Sequence, residues 1–299
     1  MRRKSLLYES KVEYGGWTIN HVQGCGHGCR YPCYAMMLAK RTGRVKSYEE
    51  WCRPHVVENA LELLDAELPR LAARIDSVHL CFTTDPFMYD ADVEGPVAEV
   101  VDLTTRIIER LNERGIRVTT LTKGVYPDDF VERTRSLSPG NQYGLSVVSL
   151  GEAFRSQWEP GSAPLGARIA SARRLAQAGQ RTWASIEPYP TPNIDPSSEN
   201  VEPLLEAIGF VDSVVFGRWN YSKLVSSFPE SKGYYERIAR RVASWCDSHG
   251  KTLHIKKGTP LSDRYFADVL GAGGDDADDR IARRRKVGAD SLCAERRAS

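Results

Sequence analysis

Residues 17–35 of the 299-residue chain read WTINHVQGCGHGCRYPCYA, where a short β-type run is followed at once by a loop with three cysteines and three glycines. The glycines allow the backbone to wrap closely around a bound group, because glycine adopts conformations that other residues avoid. Cys25, Cys29 and Cys33 place three thiols within nine residues. Three thiolates can hold one inorganic centre and leave a coordination position open for a further ligand.

The rest of the chain repeats one rhythm, in which a β-type run, a polar break and a helical pattern alternate. The predicted strands are 17–20, 77–82, 117–122, 143–148, 182–186, 213–216 and 252–255. Helical patterns cover 56–71, 97–111, 165–178 and 234–248, and the last three stop at Gly115, Gly179 and Gly250. About seven βα units with no early break in composition predict an α/β fold, a partial (βα)6-type TIM barrel.

The composition predicts two regions. We expect residues 1–270 to form the barrel domain, and residues 271–299, Gly/Asp-rich and then strongly basic, to form a charged and flexible C-terminal extension. The net charge is +2, which suggests no global attraction to nucleic acid. No apolar run approaches the ~20 residues of a membrane helix, and the first residues lack the apolar stretch of a signal peptide. We therefore expect a cytoplasmic protein.

The cysteine loop leaves three interpretations open. An iron–sulfur cluster is favoured, because three clustered thiols lack the fourth protein ligand of a structural zinc site. A zinc site would need His21, His27 or a distant residue as that ligand. Purely structural cysteines are the third interpretation. The remaining cysteines are interpreted as buried apolar side chains or surface thiols: Cys52, Cys81, Cys246 and Cys293.

The loop pattern Gly-Cys-x-His-Gly-Cys-x-Tyr-x-Cys-Tyr-Ala resembles the cluster loop of radical S-adenosylmethionine (SAM) enzymes, especially the branch of spore photoproduct lyase. That family spaces its cysteines Cys-x3-Cys-x2-Cys. Here Pro32 lengthens the second interval to three residues and moves Tyr31, the expected adenine contact, by one place. The resemblance implies a [4Fe–4S] cluster on Cys25, Cys29 and Cys33. It also implies reductive cleavage of SAM to a 5′-deoxyadenosyl radical, which abstracts hydrogen from a substrate.

The resemblance extends over about residues 11–260 and assigns cofactor contacts at the carboxyl ends of the strands, where barrel enzymes place their chemistry. Thr84 and Asp85 resemble the segment that meets the amino-acid part of SAM. Lys123 resembles the lysine that pairs with the SAM carboxylate, and Ser146 the serine near it. Glu159-Pro160 followed by Arg168 resembles a further family pattern.

Each of these positions also has a structural interpretation. Asp85 suits the cap of a turn, Lys123 a solvated loop, and Arg168 a structural position in a helix. Glu187, which follows the fifth strand, is interpreted either as a cofactor contact or as a buried partner of Arg168 or Lys123.

Photoproduct lyases carry a hydrogen-donating cysteine immediately before the Ser/Thr-Asp pair, where this chain has Thr83. Cys81 shares a strand face with Thr83 and is the candidate substitute, although core packing is its ordinary role. DNA photoproduct repair is therefore disfavoured. The aromatic candidates for substrate contact or radical control, each also suited to packing the wall, are Tyr89, Trp183, Tyr189, Trp219 and Tyr221.

The sequence thus predicts a radical SAM enzyme that acts on a small molecule or nucleoside in a biosynthetic pathway, with a flavodoxin- or ferredoxin-type electron donor. Two alternatives stay open: a radical SAM enzyme acting on nucleic acid, and a non-catalytic metal-binding module.

Overall fold

The computed structural model describes residues 1–13 and 15–262. An eight-stranded sheet runs through it in chain order. Its strands are β1 (Leu7–Glu9), β2 (Trp17–Ile19), β3 (Ser77–Leu80), β4 (Arg117–Thr122), β5 (Gln142–Ser146), β6 (Arg181–Tyr189), β7 (Ser213–Arg218) and β8 (Thr252–Ile255). β1 pairs with β2 antiparallel, and β2 to β8 run parallel. Two short ribbons lie beside the sheet: Val22–Gln23 with His55–Val56, and Tyr89–Asp90 with Gly95–Pro96.

Helices cover the convex face of the sheet or connect its strands. They are α1 (Tyr34–Arg41), α2 (Tyr48–Trp51), α3 (Ala60–Leu71), α4 (Ala98–Asn112), α5 (Asp128–Arg133), α6 (Glu152–Trp158), α7 (Leu165–Gln177), α8 (Glu202–Ala207), α9 (Lys223–Ser226) and α10 (Ser231–Ser248). Turns of 3₁₀ helix lie at Ala72–Arg74, Thr134–Ser136 and Pro196–Glu199. In α4, Val100, Ile107, Ile108 and Leu111 recur at helical spacing and are buried, so one stripe of the helix packs on the sheet.

The two faces of the sheet pack differently. Val78 and Leu80 of β3 belong to one large core against the helices, and Val214 of β7 belongs to the other. Successive strand residues point to opposite faces. Trp183 and Val215 accordingly point the other way, into a small inner cluster completed by Val12, Phe82 and Leu121.

The sheet is strongly curved around that inner cluster. His79 of β3 and Trp183 of β6 lie three strand positions apart, which would separate them by roughly 14 Å across a flat sheet. Their ring centroids are 6.2 Å apart. Glu13, from the loop between β1 and β2, also reaches the far edge, where it accepts a hydrogen bond from the Lys257 N–H at 3.0 Å. The inner side chains therefore enclose a cavity.

The predicted α/β class with a parallel sheet is confirmed. The described residues do not close the sheet into a barrel, because no strand pairing joins β1 or β2 to β8. The predicted strands match β2 to β8 within a few residues, and α4, α7 and α10 end shortly before their predicted glycines. β1 was not predicted. The predicted extension at 271–299 and Cys293 lie outside the described residues. Within the described residues, no helix is both long enough and apolar enough to cross a membrane.

Candidate functional site

A cavity of about 320 Å³ opens at the carboxyl ends of the parallel strands. All three loop cysteines line it, and so do residues from the ends of six strands. The polar side chains among them are Thr83, Thr84, Asp85, Thr122, Lys123, Ser146, Glu187, Arg218, Asn220, Tyr221 and Lys256. The polar rim predicted from the sequence is thus gathered around one space.

The cysteine loop is held from three sides by hydrogen bonds. The Cys25 N–H donates to the Trp51 carbonyl at 2.9 Å, and the Arg30 N–H to the Trp158 carbonyl at 2.9 Å. The Tyr48 hydroxyl donates to the carbonyl of Gly28. Gly28 has φ +55°, and a Cβ there would lie 2.9 Å from the Tyr48 hydroxyl oxygen. Glycine is therefore required at this turn.

The three loop cysteines are free thiols at intermediate exposure. Burial, together with the neighbouring Cys29, Asp85 and Cys33, raises the pKa of Cys25 well above its usual range. Burial likewise raises the pKa of Cys29 to about 12, with Glu159 adding to the effect. Burial therefore favours the protonated thiols of Cys25 and Cys29 unless a bound positive centre replaces the protons.

The donor set fits a cluster better than a single zinc ion. Within residues 1–13 and 15–262, no three His, Cys, Asp or Glu side chains converge on one ion position. A cluster needs only that each thiolate reach its own iron from the border of a shared space. Both histidines considered as a fourth zinc ligand are engaged elsewhere. His21 Nε2 lies 2.7 Å from Thr104 Oγ1, and His27 Nε2 accepts from the Tyr89 N–H at 2.9 Å.

His27, within the cysteine loop, is held as a neutral imidazole. Burial lowers its pKa to about 4 against the opposing effect of Asp85. Because Nε2 accepts a backbone N–H, the ring proton lies on Nδ1, which is 3.5 Å from Asp85 Oδ2. His27 therefore ties the loop to the turn that follows β3.

Asp85 lines the cavity, but protein groups already occupy its carboxylate. It accepts from the Phe87 N–H at 2.9 Å, the Thr122 hydroxyl at 2.7 Å and the Lys123 N–H at 2.8 Å. The bond to Phe87 is the turn-capping contact of its structural interpretation. Asp85 thus fixes the ends of two strands, while the Thr84 hydroxyl donates to the carbonyl of Gly24 in the cysteine loop.

Lys123 presents its ammonium group at the cavity wall. Its Nζ donates to Ser146 Oγ at 2.7 Å, lies 3.7 Å from Glu159 Oε1, and sits 5.7 Å from the centre of the Tyr31 ring. An ammonium group has three donors. The wall therefore combines a cation and a hydroxyl that can both meet an anionic ligand group.

Glu159 organises this wall from behind. Its carboxylate accepts from the Tyr31 hydroxyl at 3.0 Å and from Arg168 Nη1 at 3.1 Å. Burial acts to raise its pKa, but Lys123 and Arg168 outweigh burial and lower it. Arg168 also donates to the Ser146 carbonyl at 2.6 Å. One buried carboxylate thus faces two cations.

Several predicted residues do not line the cavity. Arg168 is buried behind Ser146 and Glu159, and Tyr89 lies in the ribbon formed with Gly95–Pro96. Neither residue lines the cavity. Tyr189 donates its hydroxyl to the Ser198 carbonyl at 2.9 Å, and the Trp183 indole donates to the Thr120 carbonyl at 3.0 Å. Trp219 does line the cavity.

The ion-pair partner of Glu187 differs from the two partners considered from the sequence. Glu187 lines the cavity, but its partner is Lys256, whose Nζ lies 2.8 Å away, and not Arg168 or Lys123. The two residues belong to β6 and to the turn after β8. This pairing across the mouth could not be read from spacing along the chain.

Cys81 and Tyr221 both line the cavity and both have left-handed backbone conformations. The Cys81 Sγ is 3.5 Å from His21 Nδ1, and Tyr221 is 77 % exposed at the mouth. His79 and Phe82, which were not among the predicted site residues, line the inner end of the cavity. The signal was available, because His79 is a lone polar residue between Val78 and Leu80 in a strand.

Comparison with known proteins gives a fold relationship. No family profile and no curated protein sequence matches the chain. A doubly substituted spore photoproduct lyase with bound AdoMet and dinucleoside spore photoproduct matches with TM-score 0.59 and 15% identity, over 85% of this chain and 80% of that chain. A singly substituted form matches with TM-score 0.60, at the same identity and coverage. SuiB of Streptococcus suis, bound to precursor peptide SuiA, matches with TM-score 0.49 and 13% identity, over 80% and 47%.

The likeness to spore photoproduct lyase confirms, at the level of the fold, the resemblance found in the sequence. It tests neither the cysteine spacing nor any single site residue, which remain predictions.

Proposed function

We propose that this chain is a radical SAM enzyme in which Cys25, Cys29 and Cys33 hold a [4Fe–4S] cluster at the cavity. One observation carries the proposal: three thiols and the cationic wall of Lys123 and Ser146 border the same cavity of about 320 Å³. That size suits a small-molecule ligand. The shared fold with a lyase that binds AdoMet supports the same assignment.

The wall supplies the binding groups that SAM needs. We assign the SAM carboxylate to Lys123 Nζ and the Ser146 hydroxyl, which lie 2.7 Å apart at the cavity. We assign the adenine to the ring of Tyr31, whose hydroxyl donates to Glu159 at 3.0 Å. Asp85, Thr84 and Glu187 contribute by holding the wall and the mouth in position.

A bound and reduced cluster on Cys25, Cys29 and Cys33 would supply one electron for cleavage of the C–S bond of SAM to methionine and the 5′-deoxyadenosyl radical. The chain's own residues position the reactants and exclude water from the space between them. We propose a small-molecule or nucleoside substrate, a biosynthetic role in the cytoplasm, and a flavodoxin- or ferredoxin-type electron donor. Cys81, at the cavity wall, is our candidate for returning a hydrogen atom, and Tyr221, at the mouth, for contacting substrate.

The test is anaerobic purification and cluster reconstitution, followed by reduction with dithionite in the presence of SAM. We expect visible iron–sulfur absorption and formation of 5′-deoxyadenosine. Cys25→Ala should lose both. The matched control is Cys246→Ala, which removes a buried thiol from α10, away from the cavity. It should keep both signals.

Full colour and 5′-deoxyadenosine formation in Cys25→Ala would overturn the proposed cluster site. A colourless wild-type protein that binds zinc stoichiometrically would support the metal-binding module instead. Salt-sensitive binding of DNA at micromolar protein would favour the nucleic-acid substrate.

A further inference from the structure

The inner end of the cavity, which we call the cavity floor, is formed by Val12, His79, Phe82 and Leu121. His79 and Leu121 lie within β3 and β4, before the strand ends that carry Lys123 and the polar rim. The floor is therefore deeper than the cysteine loop and the cationic wall. It joins the inner cluster around Trp183 and Val215, so its lining is mostly apolar.

His79 is the polar residue of this floor. Its neighbours Val78 and Leu80 face the helices, so the strand alternation turns His79 inward. It is only 4 % exposed, and its ring stacks on Phe82 with centroids 3.8 Å apart and planes 6° apart. Within the described residues the ring has no hydrogen-bond partner, and its Nδ1 is buried without one.

The imidazole is neutral, because burial lowers the pKa of His79 to about 3. A neutral imidazole offers one N–H donor and one nitrogen acceptor. Leaving such groups without partners in an apolar site is unfavourable. The floor therefore has unused donor and acceptor capacity on a flat aromatic surface.

No charged side chain belongs to the floor. The carboxylate of Glu13, which follows Val12, accepts from the Lys257 N–H at 3.0 Å and lies 3.2 Å from His254 Nε2. At the rim, Glu187 pairs with Lys256, and Asp85 accepts from protein donors. A charged ligand group moved to the floor would lose its hydration and would find no counter-charge among the four floor residues. An uncharged group with a polar edge can pack against the apolar lining and form a hydrogen bond with the imidazole.

We propose that the cavity floor is a substrate subsite for an uncharged, planar heteroaromatic ring, and that His79 recognises the ring's polar edge. The stacked pair of His79 and Phe82 gives this part of the lining an aromatic border, which suits a planar group. The ring is the substrate of the radical SAM reaction proposed above, and to that extent the inference rests on the proposed function. His79 acts through hydrogen bonding alone.

The test measures binding of three small probes to the reconstituted enzyme by equilibrium dialysis: 2-pyridone, toluene and benzoate. 2-Pyridone is planar and uncharged with an adjacent N–H and carbonyl, toluene lacks polar groups, and benzoate is an anion. We expect wild-type enzyme to bind 2-pyridone and toluene but not benzoate. His79→Phe keeps the stacked ring and removes both nitrogens. This variant should bind 2-pyridone about tenfold more weakly, because one hydrogen bond is lost, and should bind toluene with unchanged affinity.

Three further variants locate the effect. His249→Phe is the matched control, because His249 also stacks on an aromatic ring, Trp245 at 4.3 Å, but is exposed at the end of α10. It should change nothing. His79→Gln restores a donor and an acceptor and should recover most 2-pyridone affinity. Leu121→Trp fills the floor and should abolish binding of both uncharged probes.

Unchanged 2-pyridone binding in His79→Phe would overturn the role of His79. Absence of 2-pyridone binding by the wild type, or benzoate binding as tightly, would overturn the subsite. If His79→Phe does not fold, the probe preference of the wild type and the Leu121→Trp result decide the question. Cluster absorption and 5′-deoxyadenosine formation are measured in parallel, so failure of SAM cleavage with intact probe selectivity overturns only the proposed function.

Discussion

The buried carboxylate of Glu159 contacts Tyr31, Arg168 and Lys123. Water cannot replace these contacts if they are lost, because the site is buried. The side chains of Glu159 and Arg168 are both almost fully buried, with 3.1 Å between the charged atoms. Removing one member of a buried ion pair leaves the other charge desolvated without a counter-charge. The remaining bonds of Arg168 are to the Ser146 carbonyl, Ser162 and the Ala163 carbonyl, none of which carries a charge.

We therefore expect Glu159→Gln to lower the free energy of unfolding by about 3 kcal/mol, measured by chemical denaturation. Glu199→Gln is the control, because Glu199 pairs with Arg237 on the exposed surface at 2.6 Å. Its effect should stay below about 1 kcal/mol. Similar losses in the two variants would show that burial does not set the strength of the Glu159 contact.

His79 also makes a prediction about acid stability. In the unfolded chain its pKa is near 6.5, whereas burial lowers it to about 3 in the folded protein. Between these values the unfolded state binds more protons than the folded state, so the free energy of unfolding falls as pH falls through this window. One such group contributes a slope of about 1.4 kcal/mol per pH unit at most.

His79→Phe should remove this contribution. We expect the difference in unfolding free energy between wild type and variant to shift in favour of the variant as pH falls from 7 to 4. Denaturant titrations at several pH values measure it. Parallel profiles of the two proteins would mean that His79 is not the buried neutral group described above.

At the scale of the elements, β5 and β6 meet at an unusually close contact. Trp183 lies over Gly144, where a Cβ would be 2.3 Å from the indole ring. The indole is itself fixed by its hydrogen bond to the Thr120 carbonyl on β4. Gly144 thus lets one aromatic ring bridge three neighbouring strands on the inner face.

Gly144→Ala should therefore strain this bridge and lower the free energy of unfolding by about 1–3 kcal/mol. Gly166→Ala is the matched control, since Gly166 lies in the first turn of α7 and a Cβ there meets nothing within 4 Å. Alanine favours the helix, so this variant should be neutral or stabilised by up to about 1 kcal/mol. Thermal melts of both variants decide the point, and a stable Gly144→Ala would contradict it.

The strands were predictable wherever an apolar run was long enough to show a period. β4 and β8 match their predicted bounds at both ends. β1 spans three residues with one buried, and the ribbon strands span two, so no period is visible in them. The rim residues were predictable because parallel strands bring their carboxyl ends to one edge.

Pairings across the sheet were not predictable. Glu187 and Lys256 meet only because β7 lies between their strands at a fixed register, with Phe216 opposite Ile186 on one side and Ile255 on the other. His79 was missed because a single polar residue in an apolar strand suits the core as well as a site. The curvature of the sheet, which turns it into a cavity residue, is a property of the whole fold.

At the scale of the whole molecule, the two edges of the curved sheet are linked without being paired. Glu13 follows β1 and accepts from the Lys257 N–H, and its Oε1 lies 3.2 Å from His254 Nε2 on β8. These contacts span more than 240 residues of sequence. Removal of the Glu13 carboxylate should therefore loosen the contact between the two edges at the cavity mouth, while each edge keeps its own strand pairing.

We expect Glu13→Ala to lower the free energy of unfolding by about 1–2 kcal/mol, or roughly 2–3 °C in Tm for a protein of this size. The Lys257 amide should exchange faster with deuterium, because its acceptor is gone. Glu9→Ala removes a carboxylate of β1 whose partner, Arg74, is on the surface at 3.3 Å, and it should leave that amide unchanged. Equal exchange in both variants would show that the edges are held together by packing of the inner cluster alone. In that case the cavity would keep its shape without Glu13.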